Sequence, residues 1–177
     1  QLAVMGRLVP QDPKDQPASE LLKEIEAEKK RLVQEGKIKE PKPLPPIKTE
    51  EVPYQVPKGW EWVRLRTLVS VLGDGIHGTP QFDDKGEYHF INGNNLSDGI
   101  IEIKPNTRRV SHEEYLKYFK ELNSNTVLVS INGTLGNIAF YAGEKVILGK
   151  SACYFNLYST LNKIYIKKVF QGDLFQS

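Results

Sequence analysis

Val127-Leu128-Val129-Ser130-Ile131 runs into Asn132-Gly133-Thr134-Leu135-Gly136-Asn137 and then Ile138-Ala139-Phe140-Tyr141. The first five residues are mostly β-branched or aliphatic and too few for a helix, so they predict a strand. The glycine- and amide-bearing stretch predicts a loop, and the residues after it a second strand. The same alternation extends in both directions. Downstream, Lys145-Val146-Ile147-Leu148 is expected to pair with 138–141 as a hairpin turning at Ala142-Gly143-Glu144. Gly149-Lys150-Ser151 is a short loop, Ala152 to Leu157 another strand, and Asn162 to Phe170 a closing helix. Upstream, Ser111 and Glu114 form a capping box that opens a helix from His112 to Phe119 or Leu122. Ile100 to Ile103, Tyr88 to Ile91 and Leu68 to Leu72 read as further strands, the last closed by Gly73-Asp74-Gly75. Many short strands with few helices predict an α+β or α/β domain built on a bent mixed sheet.

This pattern starts near Val56. Before it, Leu2 to Met5 read as the last turn of a helix stopped by Gly6. A second helix is expected from Ser19, as N-cap, to Glu35, with Gly36 as its stop. Its apolar line is thin: Ala18, Leu22, Ile25 and Leu32, interrupted by Lys29. That is either a solvated helix with one adhesive edge or a helix that docks on a partner element or a coiled coil. Five prolines fall between positions 41 and 53, which excludes helix and central strand and favours an extended spacer or surface strap. The expected organisation is therefore 1–36 helical, 37–55 a proline-rich linker, and 56–177 a single domain, incomplete at its C-terminal end.

Composition narrows the function classes. The chain has 177 residues, 39% of them hydrophobic, with 24 Lys and Arg against 22 Asp and Glu. No apolar run approaches the ~18 residues a membrane span needs. No basic segment followed by an apolar stretch opens the chain, so no secretory leader is read. The single Cys153 excludes an internal disulfide framework and is expected to be a buried structural thiol in a cytoplasmic protein. Near-neutral net charge means that attraction to nucleic acid would have to be local.

Several catalytic patterns fail on inspection. Gly73-Asp74-Gly75-Ile76-His77-Gly78 matches G-x-G-x-x-G, but a dinucleotide site needs a helix to start there, and Thr79-Pro80 follow instead. The three histidines, at 77, 89 and 112, match no metal spacing, and no metal site is expected. Ser130, Ser151 and His89 lie in no nucleophile elbow, so no catalytic residue is assigned.

What remains is a set of polar loops between strands: 73–79, 92–95, 132–137 and 149–151. Asparagine offers the paired donor and acceptor that read adenine in the major groove, while hydroxyls and backbone N–H groups suit phosphate oxygens. Taken singly, such loops are ordinary turns. Together they make His77, Thr79, Asn92, Asn94, Asn95, Asn132, Thr134 and Ser151 candidates for nucleic-acid contact, with Arg108, Arg109 and Lys150 supplying attraction to the backbone.

Three stretches carry a family resemblance. Gly6-Arg-Leu-Val-Pro-Gln-Asp-Pro13 with Pro17-Ala-Ser-Glu-Leu-Leu22, Glu26-Ala-Glu-Lys29 and Gly36-Lys-Ile38 resembles the stretch that precedes a target recognition domain in the specificity subunit of type I restriction-modification enzymes. Pro57-Lys-Gly-Trp-Glu-Trp-Val-Arg-Leu65 resembles the entry to that domain. Asp74-Gly75 with His77-Gly-Thr-Pro80, Phe90-Ile-Asn92, Asn132-Gly-Thr-Leu-Gly136 and Gly149-Lys-Ser-Ala152 resemble its interior. The resemblance implies a non-catalytic subunit that reads double-stranded DNA and directs adenine methylation and restriction by its partners. Methylation subunits would bind the helices, with Leu22, Ile25 and Leu32 as contact candidates. S-adenosylmethionine, ATP and Mg2+ would be bound only by the methylation and restriction subunits. The chain lacks the Asn/Asp-Pro-Pro-Tyr/Phe signature of the methylating partner. The competing classes are a protein-interaction module using 19–35 and the exposed tryptophans Trp60 and Trp62, or a carbohydrate or small-ligand binder.

Overall fold

The computed structural model describes residues 1–133 and 135–172. The chain divides into two compact units, one formed by residues 1–70 with 158–172 and the other by residues 71–157. Helices and mixed sheets together make an α+β fold. Among the described residues, no helix is long and apolar enough to cross a membrane.

In the first unit, α1 spans Ala18–Gln34. Its N-cap lies two residues before the expected Ser19. Pro17 is the N-cap and makes no side-chain cap bond; the Ala18 N–H donates instead to the Gly59 carbonyl at 2.7 Å. A carbonyl from elsewhere in the unit thus satisfies one of the orphan donors that open any helix. The stop at Gly36 is as expected: φ is +69°, with Lys37 N–H bonded to Leu32 O and Gly36 N–H to Val33 O, the paired bonds of a Schellman ending. Gly6 closes the turn at 2–5 with the same two bonds.

Part of the apolar edge of α1 is already buried in this chain. Ile25 is only 2% exposed, so this candidate for a subunit contact is core instead. Leu22 and Leu32 remain half-buried. On a neighbouring turn, the Glu28 carboxylate accepts the Ser159 N–H at 3.0 Å and its hydroxyl at 2.8 Å, tying the helix to the chain that leads into α3 (Lys163–Phe170). The proline-rich stretch is a strap. A single 3-10 turn at Thr49–Glu51 interrupts it, and Arg64 holds the prolines before that turn, donating to Pro45 O at 3.0 Å and Pro46 O at 3.2 Å while pairing with Glu51. Trp62 donates to Tyr54 O at 3.0 Å and meets the Tyr54 ring edge-on.

The second unit carries most of the strands. One sheet has the order β1 (Val69–Asp74), β9 (Ala152–Leu157), β6 (Thr126–Ser130), β7 (Ile138–Phe140). A second has β5 (Arg109–Val110), β2 (Tyr88–Ile91), β8 (Val146–Leu148); β3 (Leu96–Ser97) and β4 (Ile100–Ile101) form a third. Every residue of β6 is buried, which fits its near-continuous aliphatic run. Ile91, Leu96, Leu128, Ala139, Leu148 and Ala152 centre the core.

The expected hairpin between 138–141 and 145–148 does not form. β7 pairs antiparallel with β6, Val127 opposite Phe140, and β8 pairs parallel with β2, Phe90 opposite Ile147. Val146, Ile147 and Leu148 are all buried, and three consecutive apolar residues suit a parallel strand covered on both faces better than a half-exposed hairpin. The helix after Ser111 is also shorter than predicted: α2 spans only His112–Lys117. Ser111 accepts the Glu114 N–H at 3.2 Å, but the Glu114 carboxylate does not return to the cap; it accepts the Gln81 N–H at 2.9 Å and is itself buried.

Candidate nucleic-acid interface

Strand direction brings the polar loops to one end of the second unit. β2 and β8 are parallel, so the loops that leave them, 92–95 and 149–151, emerge side by side. β6 and β9 are antiparallel with Ser130 opposite Ala152, so the loop after β6 meets the loop before β9. Gly75 N–H donates to Ala152 O at 3.1 Å and Ile76 N–H to Leu148 O at 2.7 Å, which brings the end of β1 to the same place.

Residues 149–151 are the hub. Gly149 N–H donates to Ile91 O at 2.8 Å, and the Ser151 carbonyl accepts the Ile131 N–H at 3.1 Å. The Ser151 hydroxyl accepts the Gly93 N–H at 2.9 Å and donates to Asn92 Oδ1 at 3.1 Å. The glycines here serve close approach. A Cβ on Gly93 would strike the Ser130 hydroxyl, one on Gly75 the Gly149 carbonyl, and one on Gly149 the Asn92 side chain.

The candidates separate by what their side chains already do. Asn95 is 5% exposed; its Oδ1 accepts the Asn92 N–H, and its NH2 donates to Glu102 O and Thr107 Oγ1. It builds the loop and presents nothing outward. Ser151 is likewise committed to the hub. Asn92 keeps its amide NH2 without a protein partner among the described residues. Asn94, Asn132 and Lys150 are exposed, and their side chains make no protein hydrogen bond among the described residues. Thr79 is exposed, as is His77, whose Nε2 lies 3.8 Å from Asp74 Oδ2. Thr134 lies outside the described residues. Strand alternation separates the adjacent arginines. Arg109 faces His89 across the β2–β5 pair, while Arg108 sits over the Phe82 ring at 4.5 Å. Burial, and secondarily the Arg109 charge, hold the His89 imidazole below its ordinary pKa.

Beside the hub is a cleft of about 240 Å³. Phe82 and Phe90 meet edge to face at 5.6 Å in its lining, and Asn92, Asn94, Asn106 and Arg108 contribute polar edges. Lys104 also lines it, with its ammonium on the Asn94 carbonyl at 2.6 Å. Phe82, Phe90, Lys104 and Asn106 escaped the reading of the sequence. The polar turn Lys104-Pro105-Asn106-Thr107 just ahead of the arginines was the available signal. Cys153 is not fully buried as expected, but partial burial pushes its thiol pKa up, away from a reactive thiolate.

The sequence profile of the type I restriction modification DNA specificity domain matches residues 57–171, a range that includes every loop of this surface. The chain belongs to that family. As a type I specificity domain it is 42% identical, over 142 residues, to the type I restriction enzyme EcoAI specificity subunit of Escherichia coli. That alignment covers 77% of this chain and 23% of the relative. It is 57% identical over 75 residues to the EcoEI specificity subunit of the same organism, covering 42% of this chain and 13% of that relative. The type I specificity domain described here thus spans less than a quarter of the curated relatives it matches.

Proposed function

We propose that this chain is the part of a type I specificity subunit that reads one segment of double-stranded DNA through the loop end of its second unit. The supporting observation is the convergence of 74–76, 92–95, 131–133 with 135–137, and 149–151 on the Ser151 hub, with the side chains of Asn94, Asn132 and Lys150 exposed there and without a hydrogen bond among the described residues. Uncommitted amides suit base edges and a free ammonium suits phosphate. Local placement answers the objection raised by a net charge of only +2. The chain performs no chemistry of its own and needs no cofactor. Methylation subunits supply S-adenosylmethionine chemistry on adenine, and restriction subunits supply ATP- and Mg2+-dependent cleavage, in the cytoplasm.

One observation favours an additional assembly role. In the first unit Leu21, Leu22, Trp60, Val63 and Tyr165 line an open cleft of about 690 Å³.

Methylome sequencing of cells carrying the intact system would define the recognised motif. Fluorescence anisotropy with that duplex and a scrambled one then tests readout. Preference for the cognate duplex, lost when Asn94 and Asn132 are both changed to Ala, supports the proposal. Equal binding to both duplexes by the wild type would refute it.

A further inference from the structure

Arg108 lines the cleft beside the hub, and its contacts differ from those of most arginines in the chain. Arg7 donates to Gln55 O, Arg31 and Arg64 pair with Glu35 and Glu51, and Arg66 donates to Val69 O. Among the described residues neither Arg108 nor its neighbour Arg109 has such an oxygen, but of the two only Arg108 lies over an aromatic ring, that of Phe82, 4.5 Å from the guanidinium carbon. Phe82 is held in turn by Phe90 and by its neighbour Gln81, whose N–H is anchored on the buried Glu114. A guanidinium resting on a fixed ring gives up one face and keeps the N–H donors along its edge.

We propose that Arg108 determines specificity by presenting that edge to the N7 and O6 acceptors of a guanine in the major groove. This rests on the DNA-reading function proposed above and changes the role of Arg108 from general attraction to base readout. The lining of the cleft suits a base: Phe82 and Phe90 give it apolar walls, and the side-chain amides of Asn94 and Asn106 add paired donor and acceptor groups beside Arg108.

The test uses the full-length specificity subunit in its methylation complex, with the duplex defined by methylome sequencing. Each guanine is replaced singly by 7-deazaguanine, which lacks the N7 acceptor. Binding is measured for wild type, Arg108→Lys and Arg108→Ala. One guanine should be found at which the replacement weakens the wild type roughly 5- to 150-fold, equivalent to about 1–3 kcal/mol, and leaves both variants nearly unchanged. Lysine keeps the charge but not the fork, so it should behave like alanine at that position. If a variant loses the wild-type melting temperature, Phe82→Leu replaces it and should shrink the same effect. The assignment is overturned if the duplex has no guanine whose N7 is coupled to Arg108, or if the variants weaken cognate and scrambled duplexes equally. A wild-type complex that does not distinguish the two duplexes would instead sink the DNA-reading function itself.

Discussion

The Ser151 hydroxyl lies between the Gly93 N–H at 2.9 Å and Asn92 Oδ1 at 3.1 Å, joining two loops that are 58 residues apart in the chain. Removing it should show in stability before any effect on DNA. Ser151→Ala leaves a partly buried N–H without an acceptor, and should cost about 1–3 kcal/mol in urea denaturation. Gly93→Ala places a methyl group on the Ser130 hydroxyl and should cost a similar roughly 1–3 kcal/mol through overpacking.

Glu114 offers a cleaner contrast. Its carboxylate accepts the Gln81 N–H from inside the second unit. Glu114→Ala should destabilise by about 1–3 kcal/mol, whereas Glu114→Gln keeps a carbonyl acceptor and should recover most of that in the same melts.

Thr126 and Asn156 form a buried pair between β6 and β9, with the hydroxyl donating at 2.6 Å and accepting the Asn123 N–H at 2.8 Å. Thr126→Val preserves shape and removes both bonds. An expected loss of about 1–3 kcal/mol would appear as a lower denaturant midpoint with an unchanged slope.

His89 predicts a pH dependence. Its folded pKa is depressed, so the unfolded chain takes up the proton first as pH falls. The stabilisation is complete above the unfolded value, about 6.5, and is lost as pH drops below it. Melting temperatures from about pH 5 to 8 should decline on the acid side, less steeply in His89→Gln than in the wild type.

Lys150 tests the electrostatic part of the DNA-reading proposal. Lys150→Ala should weaken all duplexes alike and lower the slope of log affinity against log salt by about 1. A sequence-dependent effect would reassign it to base contact.

Local chemistry made much of the fold legible. Tyr88–Ile91 and Ala152–Leu157 have the predicted bounds because β-leaning runs there end in clear loop residues. α1 was visible from its helix formers and from Gly36. Strand partnership was not visible, because 138–141 and 145–148 have hairpin spacing yet gain more burial in separate sheets. The loops could be listed, but their meeting depends on the parallel β2–β8 pair, a long-range choice. Asn95 illustrates the same limit within the site. Its residue type suggests readout, and only the fold shows that Glu102 and Thr107 occupy its amide.

The hub is stitched largely by backbone groups, Ser151, Asn92 and Asn95, whereas Asn94, Asn132 and Lys150 project from it without structural duties among the described residues. Frame and lettering are therefore separable in this molecule. Its address can drift by exchange of a few tips while the scaffold that carries them stays as it is. A randomised library confined to Asn94 and Asn132 should yield folded proteins with altered targets far more often than one aimed at the glycines beneath them.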